Sequence, residues 1–324
     1  MARISLKERI ANLEKLVQEP CTDNVIPMLR KTLCSAESIL VAKAAKIAAK
    51  RELTELIPDL VEAFNYFIAK PAKADPGCLA KMSVVKALDT LYYNDLDDVF
   101  LRGVHYVQME PVYGGHVDTA AELRGKAAFA LARINHPEIL FILTALLMDP
   151  ELQARSDAVV ALTYLARPES ELLLRMKVMA GDPEQDIIRD CFSGLMNINP
   201  EHSMHFVAQF LSSKEPMMIE DAALALGESK ELEALKILCE KRDHTVTAKI
   251  KNLFIVPIAL TKSDAAFDYL VDIISNEQCQ SAVLALKALE IFAHSPEQCR
   301  RIKQAVESRD DATVSEAYHE TFDQ

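Results

Sequence analysis

The chain has 324 residues, half of them hydrophobic, with eight glycines, no tryptophan and a formal net charge of −12. That composition lets it bury a large core, and its wealth of Ala, Leu, Glu and Lys, the residues that lose least side-chain freedom in a helix, points to an all-α chain. Residues 1–100 balance at 14 Lys/Arg and 14 Asp/Glu, whereas residues 101–324 hold 22 and 34. The acidic remainder repels phosphate backbones, so nucleic acid is an unlikely partner, and no apolar run reaches the ~18 residues of a membrane span.

In chain order, Ser5-Leu6-Lys7-Glu8 reads as a capping box opening an amphipathic helix striped by Leu6, Ile10, Leu13 and Val17, a capping helix within residues 1–21. Helix pairs follow: 23–34 with 38–50, 53–68 with 78–92, 96–106 with 119–134, 137–148 with 152–166, 169–180 with 185–198, 201–212 with 217–228, 231–241 with 245–261 and 264–275 with 278–293. A last helix near 296–308 precedes a polar, acidic tail, 310–324, expected to fray. Pro168, Pro183, Pro200 and Pro296 fall at or near helix starts, where a missing amide does no harm, but Pro257 should break its helix. Lys43, Lys46 and Lys50, with Arg51 beside them, form one helix side that reads as a solvated face or as an anion site.

The seven cysteines are odd in number and contain no C-x-x-C pair, so neither a disulfide framework nor a zinc site is expected. Buried free thiols in a reducing cytoplasm is the simpler reading, and the N-terminus lacks the apolar core of a signal peptide.

The phrase Lys126-Ala127-Ala128-Phe129-Ala130-Leu131 returns as Asp157-Ala158-Val159-Val160-Ala161-Leu162, Asp221-Ala222-Ala223-Leu224-Ala225-Leu226 and Ser281-Ala282-Val283-Leu284-Ala285-Leu286. Its final leucines stand 31, 64 and 60 residues apart, and Cys191-Phe192-Ser193-Gly194-Leu195 supplies a beat inside the 64. A period near 31 on helical sequence is the mark of an α-solenoid, with small residues letting neighbouring helices approach and Leu filling the layer between them. The stretches from Leu123-Arg124 to Leu131 and from Ala154-Arg155 to Leu162 resemble the second helix of a HEAT repeat. The resemblance spans most of residues 22–295 and implies a single right-handed solenoid, residues 1–309, of about eight helix pairs with terminal capping helices. It also implies a structural role for Arg124 and Arg155; Ile219 departs from the pattern at the equivalent place.

The short period is closest to the HEAT-like repeats of phycobilisome lyases, which attach bilins to antenna proteins. Deoxyhypusine hydroxylase is similar in fold but holds di-iron with several His-Glu pairs, and the one His-Glu dipeptide here is His319-Glu320 in the tail. The HEAT-like alkylpurine DNA glycosylases use a basic, Trp-bearing face, which an acidic chain without Trp does not offer.

Regularity breaks twice. Ile47, Leu88 and Leu131 stand 41 and 43 apart, so two successive units carry insertions, at 69–77 and 107–118, expected to emerge on one edge as a composite patch. Gly103, Gly114, Gly115 and Gly125 cluster around the second, a density suggesting backbone laid bare for a ligand or partner. The candidate binding residues are His105, Met109, Glu110, Tyr113, Gly114, Gly115, His116 and Asp118. Thr119-Ala120-Ala121-Glu122 reads as a second capping box, which assigns Glu122 to the helix start. No catalytic residue, metal or cofactor is assigned, and no phosphate loop, dinucleotide fingerprint or nucleophile elbow is present. The remaining histidines, His136, His202, His205, His244, His294 and His319, suit solvated or helix-end positions.

The expected function is therefore a non-catalytic, cytoplasmic scaffold that offers a concave helical face and a loop patch to a protein or peptide of basic character. The alternative is a small-molecule enzyme or chaperone of the bilin-lyase kind, acting at 107–118.

Overall fold

The computed structural model describes residues 5–15, 24–94, 99–293 and 295–322. The chain divides into two compact units, Met1–Ser170 and Glu171–Gln324. In the first, helix α1 (Leu6–Lys15) precedes four helix pairs: α2 (Val25–Leu33) with α3 (Ser38–Lys50), α4 (Ile57–Ile68) with α5 (Leu79–Thr90), α6 (Val99–Val104) with α7 (Ala121–Arg133), and α8 (Ile139–Leu146) with α9 (Leu152–Leu165). The second helices stack directly, α3 on α5, α5 on α7 and α7 on α9.

Helix α10 (Pro168–Ala180) runs into the second unit and is followed by α11 (Gln185–Ile198). Next come α12 (Pro200–Ala208) with α13 (Pro216–Glu228), α14 (Leu232–Asp243) with a broken second helix, α15 (Ala248–Asn252) and α16 (Ile255–Leu260), and α17 (Asp264–Asn276) with α18 (Cys279–Ala288). The last pair is α19 (Pro296–Glu307) with α20 (Ala312–Phe322). Here too the second helices stack in order, α11, α13, α16, α18 and α20.

The repeated phrase is what makes this stacking possible. Ala127, Ala128, Ala130 and Leu131 are buried, as are Ala222, Ala223, Ala225 and Leu226, and each buried leucine contributes roughly 1.5–3 kcal/mol. Polar bonds between neighbouring pairs repeat the sequence period. Lys126 Nζ meets Asp157 Oδ1 at 2.7 Å across 31 residues, Arg189 Nε meets Asp221 Oδ1 at 2.9 Å across 32, and Ser281 Oγ donates to Asn252 Oδ1 at 2.7 Å across 29.

The helix ends repeat as well. After α3, α5 and α7 the chain turns through a left-handed residue, Glu52, Tyr92 or Asn135, with φ of 54°, 58° and 55°. The next amide then reaches back five residues, Leu53 N to Ala48 O, Tyr93 N to Leu88 O and His136 N to Leu131 O, each at 2.9–3.0 Å. This is the Schellman arrangement, built without glycine.

Several expectations meet the structure here. Ser5 Oγ accepts from Glu8 N while Ser5 N donates to Glu8 Oε2, so the first capping box forms. Of its stripe, Leu13 is buried and Leu6 exposed, and Val17 lies outside the described residues. The helix around Pro257 is interrupted at Leu253–Phe254 because the proline ring has no amide for the turn before it.

The frayed tail is a misreading. Residues 312–322 form α20, the second helix of a further pair, with Val314, Ala317 and Tyr318 buried. Cys78 and Cys191 are buried, Cys239, Cys279 and Cys299 half-buried, but Cys34 is exposed, and Cys21 lies outside the described residues. Burial pushes the thiols of Cys78, Cys191 and Cys239 up to about 12, which leaves them unreactive at neutral pH. On α3, Lys46 and Lys50 are exposed while Lys43 Nζ pairs with Glu14 at 2.6 Å. Among the described residues no helix is long and apolar enough to cross a membrane.

Candidate interaction hairpin

The first insertion is a compact knot. Gly77 (φ 66°) and Cys78 (φ 54°) are both left-handed, which folds the chain back over the start of α5. Asp75, fully buried, then accepts from the amides of Ala80 and Lys81 at 2.8 and 3.1 Å. It also takes the ammonium of Lys81, itself 1% exposed, at 2.9 Å. That ammonium lies 5.1 Å from the centre of the Tyr106 ring. A buried carboxylate is stable only when its oxygens are satisfied in this way, and here two orphan amides of a helix start and one cation do it.

The second insertion is not a loop. It is an antiparallel hairpin, β1 (Met109–Val112) and β2 (Gly115–Asp118), which pairs Met109 with Asp118, Glu110 with Val117, Pro111 with His116 and Val112 with Gly115. Gly114 has φ of 90°, the positive value that the third residue of a type II turn requires, and this is the one glycine of the cluster with a conformational duty. Gly103 and Gly125 serve packing instead. A Cβ on Gly103 would lie 2.8 Å from Ala127 Cβ, and one on Gly125 would lie 2.1 Å from Asp157 Oδ2.

An isolated two-stranded hairpin is marginal in water, so this one depends on its base. Two polar nodes hold it. Glu110 Oε1 accepts from Gly77 N at 2.7 Å, Gln108 Nε2 at 2.6 Å and Thr119 Oγ1 at 2.7 Å, while the same Gln108 amide donates to Asp75 O at 2.8 Å. These bonds join the two insertions into one body. Asp118 accepts from the amides of Gln108 and Ala120 at 2.9 Å and pairs with Arg124 at 2.5 Å. Arg124, 5% exposed along its side chain, forks to Asp149 at 2.8 Å and donates to Tyr106 O at 3.1 Å. Arg155 donates to the carbonyls of Asp149 and Pro150 at 2.9 Å.

The electrostatics follow from these bonds. The Thr119 hydroxyl, with the Gln108 amide and Gly77 N–H, holds the Glu110 carboxyl below the usual range. Burial acts to raise Asp118, but the amides of Gln108 and Ala120 and the Arg124 guanidinium outweigh it and hold that group low too.

The candidate residues therefore separate. Asp118 is buried and turned inward, and Glu110 has its Oε1 committed to the base, so both position the hairpin. His105 is exposed, before the hairpin. Met109, Tyr113, Gly114, Gly115 and His116 are exposed on it. By strand alternation Glu110 and His116 point to opposite faces, so they form no acid–base pair. The second capping box does not form: α7 starts after Ala120 without a side-chain cap, Thr119 serves Glu110, and Glu122 pairs with Lys86 at 2.6 Å.

Sequence reading passed over Val107, Val112 and Val117, exposed by 57, 51 and 38%, and the anchoring roles of Gln108 and Asp75. Asp75 precedes Pro76-Gly77, a turn signal just before a helix start, and that is the trace it leaves in the sequence. Met109, Val112, Tyr113 and Val117 give the hairpin four exposed large apolar side chains, with Val107 a fifth just before it and Tyr113 108% exposed at the tip.

Among the described residues no group of three or more His, Cys, Asp or Glu is placed to hold a metal ion. The chain matches no protein-family model and no curated protein. Solved structures similar to it include the complex of CpcE and CpcF of phycocyanin lyase from Nostoc sp. PCC7120, at 15% identity over 90% of this chain and 96% of that one, with a TM-score of 0.33. An engineered protein shares 15% identity over 100% and 97%, with a TM-score of 0.38. Human deoxyhypusine hydroxylase in complex with glycerol shares 16% over 83% and 96%, with a TM-score of 0.31. Such distant likenesses assign no activity, and the helical-repeat fold stands on the helices themselves.

Proposed function

We propose that this chain is a non-catalytic scaffold of HEAT-like helix pairs, and that the hairpin of its first unit is a recognition element for a protein or peptide partner. The observation that carries this reading is the contrast within the hairpin. Its base is fixed by a buried carboxylate, a buried guanidinium and two shared polar nodes, while Val112 and Tyr113 at the tip stand clear of the protein. Burying charges to hold an apolar tip in water makes physical sense when something else covers that tip. Tyrosine suits the part, since it offers a large rigid contact at little cost in conformational entropy.

Residues 171–324 hold 16 Lys/Arg and 26 Asp/Glu, a balance of −10 out of the chain's −12. A partner of basic character would be drawn in faster by that charge, and its capture should weaken as salt rises.

The test is affinity capture from a cell extract, read by mass spectrometry, comparing the natural chain with a Val112→Ser/Tyr113→Ala variant. Both side chains are exposed, so the variant should keep its melting temperature. The expected outcome is a partner retained by the natural chain and lost by the variant. Equal capture by both, or capture by neither, would overturn the reading.

A further inference from the structure

The two edges of the hairpin are not equivalent. Thr119 N donates to Gln108 O at 2.9 Å, so those two residues face each other across the ladder. In an antiparallel pair the positions that bond inward alternate. Glu110–Val117 and Val112–Gly115 are therefore the bonded pairs, and Met109, Pro111, His116 and Asp118 turn their main chain outward. Asp118 lies in the buried base with Met109 across from it, so the outer half of the hairpin is edged by Pro111 on β1 and His116 on β2.

Pro111 has no N–H to offer, and its ring stands where a neighbouring strand would bring a carbonyl. A proline in that place closes an edge to further strands. His116, its cross-strand partner, is exposed and carries both a donor and an acceptor on the opposite edge. One edge is shut and the other is open. The side chains beside the open edge leave room for a neighbour: Val117 is 38% exposed, and a Cβ on Gly115 would meet nothing within 4 Å. Both residues share a face with exposed Val112.

We infer that the partner supplies an extended strand, which adds antiparallel to β2 along the His116 edge; this rests on the hairpin being a recognition element. Two strands alone are marginal in water, and a third with an apolar face completes the sheet. The added strand exchanges both main-chain bonds with His116. Its neighbours of Gly115 and Val117 then stand at non-bonded positions, where side chains come closest, and β-branched residues fill them. Proline is excluded there because the strand must donate. Charge decides against a second copy of this chain, since −12 would meet −12, whereas a strand with basic ends is drawn in.

The probe is a fluorescein-labelled Lys-Val-Thr-Val-Thr-Val-Lys amide, titrated by anisotropy against the full chain beside the same peptide N-methylated at its central residues. Methylation removes donors and keeps every side chain, so it should cut affinity at least tenfold. His116→Pro, which copies the block at Pro111, should do the same, whereas His116→Ala keeps the N–H and should bind like the natural chain. Slow amide exchange at Glu110 and Val117 checks that the proline variant keeps its hairpin, and the methylated peptide gives the answer without it. Equal binding of the two peptides, no binding of either, or full affinity in a His116→Pro variant with its hairpin intact would overturn the proposal. So would a dimer of the natural chain in sedimentation that His116→Pro splits, for it would put a second copy on the edge. In the capture assay, a partner lost by the Val112→Ser/Tyr113→Ala variant but held by His116→Pro would overturn strand addition alone and leave the hairpin a recognition element.

Discussion

At the residue scale, the charges that matter are those with several partners at once. Glu110 and Asp118 are both held below their ordinary range, so each binds protons less readily folded than unfolded. Their unfolded values are about 4.3 and 3.9. A depressed value means that the stabilisation is fully present above the unfolded pKa and is lost as pH falls through the folded one. The hairpin should therefore loosen below about pH 4, seen as faster amide exchange at residues 109–119 than in α5 and α7. Glu110→Gln keeps the shape but not the charge, and should cost about 1 kcal/mol at neutral pH, in keeping with a charge-assisted bond on a half-exposed group. Its denaturation midpoint should also change less between pH 5 and 3 than that of the natural chain; equal slopes would show that Glu110 does not carry the effect. In the second unit Arg242 and Lys251 hold Glu277 down to about 2, so that clamp should survive the acid that opens the hairpin.

Elements show where a sequence speaks and where it is silent. The Ala-Leu phrase announces the second helices because each buries a face of small residues, and Pro257 announces its break because a missing amide is a covalent fact. The hairpin was harder to read. Its apolar residues, Met109, Val112 and Val117, face solvent, so the usual alternation of buried and exposed positions is absent from the strands. What fixes it is a set of bonds to Asp75 and Gly77, over thirty residues away, and no local pattern reports them. The helix ends were silent for the opposite reason. Glycine is the usual sign of a left-handed cap, but Glu52, Tyr92 and Asn135 occupy that conformation here. Holding a β-carbon there costs roughly 1–2 kcal/mol, offset in part by the extra freedom that glycine gives the unfolded chain. Glu52, exposed after α3, is the clean test: Glu52→Gly should raise stability by about 0.5–1 kcal/mol in urea denaturation, and a loss would mean that its side chain contributes more than its strained backbone costs.

Within each unit, a stack of helix pairs gains most of its stability from contacts between neighbours, so a helix with one neighbour is held less firmly than one with two. The first helix of the first unit and the last of the second are held unequally. Of α1 only Leu13 is buried, whereas α20 buries Val314, Ala317 and Tyr318 against the face of α18. Terminal second helices have a single neighbour to pack on, so few of their positions need be apolar, and that is why residues 310–324 read as a solvated tail. Removing them should uncover the part of α18 on which α20 packs. At roughly 1.5–3 kcal/mol for each large apolar side chain returned to water, loss of Val314 and Tyr318 alone comes to about 3 kcal/mol or more. A chain ending at Asp310 should therefore unfold at markedly lower urea concentration, with a smaller slope because less surface remains to be exposed. Deleting residues 1–15 should cost distinctly less. If the two truncations cost the same, or if the C-terminal one costs nothing, then α20 rests on the array without closing it.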